Sequence, residues 1–373
     1  MHAHPKPKYR IRDILLNNKN WERYKLLHRE LKDYQIKAVE SMLLCGDLAN
    51  GFFEYKCEHC DKIYTVARSC NSRFCPRCGT KHVNKWKEEI SSSLLDANHN
   101  HIIFTLPDEL WNVLKDNWDC IAALSAATHK VMRESMTAVA KQQITPGTIS
   151  AIQTYGEDIK FNVHFHNVVT EGGNTKNGNW KSISYIPYGI IRRKWKYHSL
   201  EIITKHIELT KEVQRLLVAL KYERYPNGFN FKLVKSKIPK KELVGYIARY
   251  IRHPPISNQR IVDYDDKTVT ISIGKNQGLK IYKQFTVEEF IRRLVQHIPP
   301  PNFKVIRHFG LYARTKKKYV KIKQATIPGF EMPKQWKLLC PDCGSNLKLV
   351  GYYPKKPPPN RKLGELISDW IVC

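Results

Sequence analysis

The chain has 373 residues, with 63 Lys and Arg against 34 Asp and Glu and a formal net charge of +29 at pH 7. This length allows two or three domains and at least one sizeable core, and a hydrophobic content of 42% is ordinary for a globular protein. So large a positive excess repels itself in the compact state and points to a polyanionic partner, nucleic acid first; a merely basic soluble protein is the bland alternative. No apolar run of about 18 residues occurs, so no membrane-spanning helix is expected. The opening MHAHPKPKYRIRD has no apolar core of the secretory kind. The ten cysteines are therefore expected to be reduced and, where clustered, to bind metal.

Residues 1–30 are basic and irregular. Asp33 to Cys45 reads as a short helix, with Ile36, Val39 and Leu43 at helical spacing. A cysteine-rich segment follows, and Lys81 to Leu95 reads as helix again. His101-Ile-Ile-Phe-Thr-Leu-Pro107 is a buried strand ended by proline. Leu110 to Gln143 is mostly helical. Ser150–Tyr155 and Asn162–Thr170 are strands joined by a turn at Gly156-Glu157-Asp158, and residues 172–179 are loop by composition. Leu200 to Tyr222 reads as one long amphipathic helix. Pro239 suits the first turn of a helix that runs to about Arg252 and stops at His253-Pro254-Pro255. Thr268–Ile273 is a strand, and Thr286-Val-Glu-Glu289 is a capping box for a helix to about His297. Residues 314–323 and 352–362 are lysine-rich. The expected organisation is α+β, with a basic arm, helix and zinc-binding domain over residues 1–95, a catalytic domain over 96–313 and a basic tail with a CxxC knuckle over 314–373.

Cys57-Glu-His-Cys60 and Cys75-Pro-Arg-Cys78 are two CxxC knuckles. Together they supply four thiolates, the ligand set of tetrahedral structural zinc, which leaves no open position for catalysis. Cys70 is a fifth candidate, able to replace one ligand or, with His59 or His82, to complete a more elaborate site. Arg68, Arg73, Arg77, Lys81 and Lys85 lie around the knuckles and suit phosphate contacts. Cys340-Pro-Asp-Cys343-Gly344 looks like half a zinc ribbon; no second CxxC follows, and Cys373 is the lone cysteine beyond it.

In the strand Asn162-Val-His-Phe-His-Asn167, residues two apart share a face, so His164 and His166 point one way and Phe165 the other. Two adjacent imidazoles can ligate one divalent cation, with Gln153 or Glu157 within reach as a third ligand. Such a mixed imidazole and oxygen site with open positions suits Mg2+ or Mn2+, which polarises a phosphate. A polar sheet surface is the alternative. Further on, Tyr246 and Tyr250 are four apart, neighbours on one helix face, as core aromatics or as two phenols offered to DNA. A phenol with a pKa of about 10 is a weak nucleophile near neutral pH and needs a cation on the phosphate. Arg249 and Arg252 lie beside the tyrosines and suit the phosphate backbone.

The order FTLP, HxH, YxxxY resembles the HUH endonuclease superfamily. The fuller set is similar to its two-tyrosine rolling-circle transposases of the insertion-sequence-91 type, which carry an N-terminal transposase zinc-binding domain. The matching stretches are SCNSRFCPRCG (69–79), HIIFTLPDELW (101–111), QTYGEDIKFNVHFHNVV (153–169), YIARYIRHPPISNQRI (246–261) and FIRRLVQHIPPPNFKVIRHFGLYA (290–313), so the resemblance spans about residues 30 to 350. It implies an HUH-type antiparallel sheet with flanking helices, preceded by a small zinc-binding domain. It implies His164 and His166 as metal ligands, with Gln153 where relatives often carry histidine, and Glu157 as the other candidate. It implies Tyr246 and Tyr250 as alternating nucleophiles that form a 5′-phosphotyrosine. The implied cofactors are structural Zn2+ and catalytic Mg2+ or Mn2+. The implied partners are single-stranded DNA, as element ends and target, and the host replication machinery, in a bacterial cytoplasm at the nucleoid. A plasmid rolling-circle replication initiator or relaxase shares this chemistry, and a non-catalytic zinc-ribbon DNA-binding protein shares the charge and the cysteines.

Overall fold

The computed structural model describes residues 7–72, 74–79, 82–83, 90, 93–185, 187–239, 242–244, 255–276, 279–313, 339–354 and 363–366. Among these, three short helices open the chain, α1 (Ile11–Leu16), α2 (Asn20–Leu27) and α3 (Asp33–Leu43), followed by strands β1 (Phe52–Cys57) and β2 (Ile63–Ala67). Next come β3 (His99–Thr105), the single turn α4 (Trp111–Leu114) and the long α5 (Trp118–Ala140). The strands β4 (Ile144–Thr145), β5 (Gly147–Tyr155), β6 (Phe161–Thr170), β7 (Gly172–Thr175) and β8 (Trp180–Ser182) follow. Helices α6 (Tyr188–His206) and α7 (Lys211–Tyr222) lead to β9 (Phe231–Ile238). The meander β10 (Ile261–Tyr264), β11 (Thr268–Asn276) and β12 (Leu279–Thr286) runs into α8 (Val287–Val295), and β13 (Ile306–Gly310), β14 (Leu347–Tyr353) and β15 (Glu365–Leu366) complete the set.

These elements form two compact units that interleave along the chain: Met1–Lys85 with Arg252–Ile298 and Pro328–Cys373, and Trp86–Ile251 with Pro299–Ile327. Consecutive parts divided near residues 95 and 313 are therefore not what the contacts build. The segment expected to stand apart as a tail supplies both edges of the head's sheet, whose strand order is β14-β1-β2-β15. No described helix is long and apolar enough to cross a membrane.

The second unit carries the five-stranded sheet β13-β5-β6-β3-β9, antiparallel throughout. One face packs on helices. Ile102 and Phe104 from β3, Ile152 from β5 and Val163 and Phe165 from β6 join Ile121, Leu124 and Val131 of α5 and Ile191 and Trp195 of α6 in one buried cluster. Trp195 meets Phe104 and Phe165 edge-on, with ring centroids 5.2 and 5.8 Å away, and its indole N–H donates to the Thr105 carbonyl at 2.8 Å. Polar residues on this face are matched as well: Ser125 of α5 donates to Ser150, and Thr128 donates to the Asn167 amide oxygen, each at 2.9 Å. A buried hydroxyl or amide left without such a partner costs stability.

Several local readings differ from the fold: residues 1–30, read as irregular, hold α1 and α2, and residues 172–179, read as loop, contain β7. The single helix expected over Leu200–Tyr222 is two, because Thr210 caps α7 by accepting from the Val213 amide and ends the continuity after Ile207. The helical stretch from Leu110 breaks at Lys115–Asn117, where Asp116 takes a positive φ of 66°. The segment Phe231–Ile238, without a clean apolar alternation, is an edge strand held by its ladder to β3. The helix that Pro239 opens is present at its first turn, with the Leu243 amide donating to the Pro239 carbonyl at 3.1 Å. Its continuation, with Tyr246, Arg249, Tyr250 and Arg252, lies outside the described residues, as does Arg73.

Phe165→Ala removes the ring that three helices and strands enclose. A loss of about 3–5 kcal/mol in denaturant unfolding of this unit is expected; a loss below 1 kcal/mol would mean that the core does not depend on this face of β6.

Candidate functional site

The face of the sheet opposite the helices carries the histidines. Strand alternation puts Val163 and Phe165 into the core and turns Asn162, His164 and His166 to the other side. Directly opposite residues on antiparallel strands lie about 5 Å apart at Cβ and share a face. Gln153 of β5 is opposite His164, and so, from β3, is Thr105. Ala151 and Ile103 flank His166 in the same way. The two imidazoles lie with ring centroids 5.0 Å apart and planes inclined by 63°.

Each ring has a defined outer partner. His164 donates from Nδ1 to the Asn162 carbonyl at 3.0 Å, which leaves its Nε2 with a lone pair. The Nδ1 of His166 is 3.0 Å from Nε2 of His101, and the two rings stack with centroids 5.3 Å apart. With the Nδ1 of His166 as the donor there, His101 takes the outer-partner position that orients metal-bound imidazoles. Gln153, opposite His164, could offer an oxygen to the same cation. Its side-chain oxygen Oε1 is buried and accepts no hydrogen bond, which is costly unless a cation or other partner uses it. Glu157 instead lies exposed in the turn beyond the end of the β5–β6 ladder.

Burial holds these imidazoles neutral. Desolvation pulls His101 down to about 4, lowers His164 despite the bond to Asn162, and lowers His166 further, with the charges of His164 and His101 adding to the effect. Neutral imidazole is the ligating form. On the same face, Lys232 of the edge strand is opposite Ile103 and exposed, a cation that the sequence did not single out because the strand itself was not anticipated. His101 was likewise seen only as the start of a strand; its role depends on register, which spacing within one strand does not reveal.

The cysteines correct an expectation. Cys57, Cys60, Cys75 and Cys78 do not form one site. The structure gathers Cys45, Cys70, Cys75 and Cys78 into one tetrad and Cys57, Cys60, Cys340 and Cys343 into another, with the ligand atoms of each within 4.8 Å of one another. The physical reason is the β1–β2 hairpin: it carries the first knuckle at the end of β1, while Cys70 and the second knuckle follow β2 and meet the end of α3. In the first tetrad, Cys78 Sγ lies 3.6 Å from that of Cys45 and 3.5 Å from that of Cys70, and the Cys70 amide donates to Cys45 Sγ at 3.4 Å. Hydrogen bonds from Cys70 and Cys75 draw the Cys45 thiol down to about 7 and those of Cys45, Cys70 and Cys75 lower Cys78, while the same contacts raise Cys70 and Cys75, so the four thiols share their protons. Tetrahedral zinc with Zn–S of about 2.3 Å needs this kind of sulfur spacing. His59 and His82 belong to neither group. Arg77 is half-buried and packs over Gly46, whose φ of +77° and lack of a side chain allow the approach.

Comparison with known proteins places this geometry in a class. Residues 147–319 match the family described as "Putative transposase", and residues 16–106 match the "Transposase zinc-binding domain". The chain is similar to the "Transposase for insertion sequence element IS801" of Pseudomonas savastanoi pv. phaseolicola, 29% identical over 352 residues that cover 87% of this chain and 82% of that relative. It is similar also to the "Putative transposase y4qJ" of Sinorhizobium fredii, 26% identical over 306 residues, 78% of this chain and 77% of that relative. No solved structure matches it. These matches are to transposases, a class of enzymes of DNA cleavage and strand transfer. The chain belongs to the insertion-sequence-91 family of transposases, with an N-terminal zinc-binding domain.

The buried histidines give the metal-free protein a defined acid response. The folded state keeps His101 neutral down to about 4, whereas the unfolded chain protonates near 6.5. This contribution is complete above the unfolded pKa and is lost as pH falls from about 6.5 toward 4. The melting temperature of metal-free protein is expected to drop over that window, and His101→Gln to drop less steeply; equal slopes would show that His101 is not held neutral by the fold.

Proposed function

We propose that this transposase nicks and rejoins single-stranded DNA by tyrosine attack in rolling-circle transposition, with Tyr246 and Tyr250 as nucleophiles and His164, His166 and Gln153 as ligands of Mg2+ or Mn2+. The observation that carries the reading is the single sheet face on which two neutral imidazoles lie beside a buried carbonyl oxygen that accepts no hydrogen bond. Imidazole nitrogens with a hard amide oxygen and room for phosphate suit such a cation. When bound, it would withdraw charge from the scissile phosphate and so offset the weak nucleophilicity of a phenol.

The remaining roles fall to the chain. A tyrosine oxygen forms the new bond to phosphorus and loses its proton, while the bond from phosphorus to the 3′ oxygen breaks and that oxygen leaves as a free hydroxyl. The resulting 5′-phosphotyrosine keeps the energy of the broken linkage, so rejoining to a second 3′-OH needs no ATP. Two tyrosines allow one strand end to stay covalently held while the other phenol attacks, and host replication would restore the displaced strand. Asn162 and His101 hold the ligand imidazoles in the useful tautomer. Lys232, Arg249, Arg252, Arg73 and Arg77 are proposed backbone-phosphate contacts, with element ends and target as the DNA.

Incubated with Mn2+ and a labelled single strand carrying an element end, the protein should become covalently attached to it. Tyr246→Phe combined with Tyr250→Phe should give no adduct, and an adduct that survives both changes refutes the nucleophile assignment. His164→Ala with His166→Ala should abolish cleavage and leave most DNA binding.

The ligand assignment has its own test in calorimetric titration with Mn2+. Replacing an outer partner of a metal-bound histidine costs on the order of 10–100-fold in affinity, and this is expected for His101→Phe. Gln153→Leu should weaken binding at least as much. An unchanged affinity in Gln153→Leu removes Gln153 from the ligand set.

A further inference from the structure

The second tetrad joins residues from the two ends of the chain. Cys57 Sγ lies 3.4 Å from Cys343 Sγ across 286 residues of sequence, and Cys60 Sγ lies 3.6 Å from Cys340 Sγ. All four are free thiols. Two CxxC knuckles face each other here as mirror halves of one site. In the first, the amides of His59 and Cys60 both donate to Cys57 Sγ at 3.4 Å, the pattern that supports a metal-bound thiolate. In the second, the Gly344 amide donates to the Cys340 carbonyl at 2.9 Å, with Gly344 at a φ of +71° that closes the knuckle. The Tyr64 hydroxyl, buried against the cluster, lies within hydrogen-bond distance of Cys340 Sγ, at 3.0 Å. An ion pair between Lys62 and Asp342 and a bond from the Glu58 amide to the Asn346 carbonyl tie the knuckles together.

We propose that Cys57, Cys60, Cys340 and Cys343 bind a structural zinc ion of their own, separate from that of the first tetrad, and that it staples β14 to the head's hairpin. The zinc-binding domain of the family spans residues 16–106; it includes Cys57 and Cys60 and ends far short of their partners. The staple has work to do. Strand β14 pairs with β1 from Phe52↔Tyr353 to Cys57↔Leu347, with Phe52 stacked on Tyr353, Phe53 on Tyr352 and Leu347 against the cysteine cluster, but Leu349, Val350 and Tyr352 are about half exposed. A ladder this exposed holds the strand weakly, and four zinc–thiolate bonds would add to it, as in small domains whose folding free energy is metal binding. Binding releases the thiol protons to solvent and leaves an anionic site beside Lys62.

Metal analysis of the full-length protein, purified under reducing conditions with zinc, tests this. Two zinc ions per chain are expected, one in Cys340→Ser/Cys343→Ser and one in Cys45→Ser/Cys70→Ser. In the former, residues 347–353 should lose amide-exchange protection. One zinc in the wild type, or two retained without Cys340 and Cys343, overturns the proposal. Because a double serine variant can fail for reasons of folding, Cys343→His offers a second route: Cys343 is exposed, and three thiolates with one imidazole still hold the metal. In the cobalt-loaded protein, the d–d bands of one site should move while those of the other stay, and an unchanged spectrum counts against the staple. Alkylation of the metal-stripped, denatured wild type that finds Cys57–Cys343 and Cys60–Cys340 disulfides instead of free thiols also overturns it.

Discussion

The side-chain alternation of β6 is the constraint on which the site depends. Val163 and Phe165 are buried among α5 and α6, and each such side chain contributes roughly 1.5–3 kcal/mol through the water it leaves. That burial fixes which way His164 and His166 point. A slip of one residue would drive both imidazoles against Trp195 and Phe104 and expose the two apolar side chains, so the register is strongly held. Phe165 thus serves the site from the opposite face of the sheet. The polar pairs Ser125–Ser150 and Thr128–Asn167 add direction to the same packing, since each is satisfied in only one register.

Burial also sets the chemistry. An imidazole taken out of water resists protonation, and three close together resist it more, because any one charge raises the cost of the next. The result is a group of neutral nitrogen donors at the pH of the cell, where the same histidines on an open surface would be partly charged. Asn162 fixes the tautomer of His164, His101 lies against His166, and Gln153 adds a buried oxygen that accepts no hydrogen bond. An amide oxygen beside two imidazoles would lean such a donor set toward a hard cation.

The cysteine tetrads follow a different logic. They are built by bringing hairpin ends together, and the partners are set by which strands pair. With β1 between β2 and β14, the knuckle at the end of β1 meets the one that precedes β14, while the residues after β2 turn back to the end of α3. Sequence proximity therefore misleads: Cys75 and Cys78 are nearer to Cys60 along the chain than Cys340 is, yet Cys340 shares its site. Both edges of the head's sheet come from residues 347–366, so Trp86–Ile251 and Pro299–Ile327 are, in connectivity, insertions within this unit.

Much was determined by sequence alone. The net charge named the partner class, the two CxxC pairs named zinc chemistry, and HxH in an apolar strand placed two imidazoles on one face, because these depend on composition and on short, fixed spacings. The Thr286 cap and the turn at Pro239 were equally legible, being local backbone chemistry. Tertiary structure alone decided what crosses between strands. Register placed Gln153 opposite His164 and brought His101 to His166, and nothing within either strand specifies a neighbour's alignment. Cys45 looked like the end of a helix, and Cys340 and Cys343 like an unfinished motif, until the hairpin ladder closed. A ligand set is a property of space, and a chain reveals it only where the ligands come from one turn or one strand.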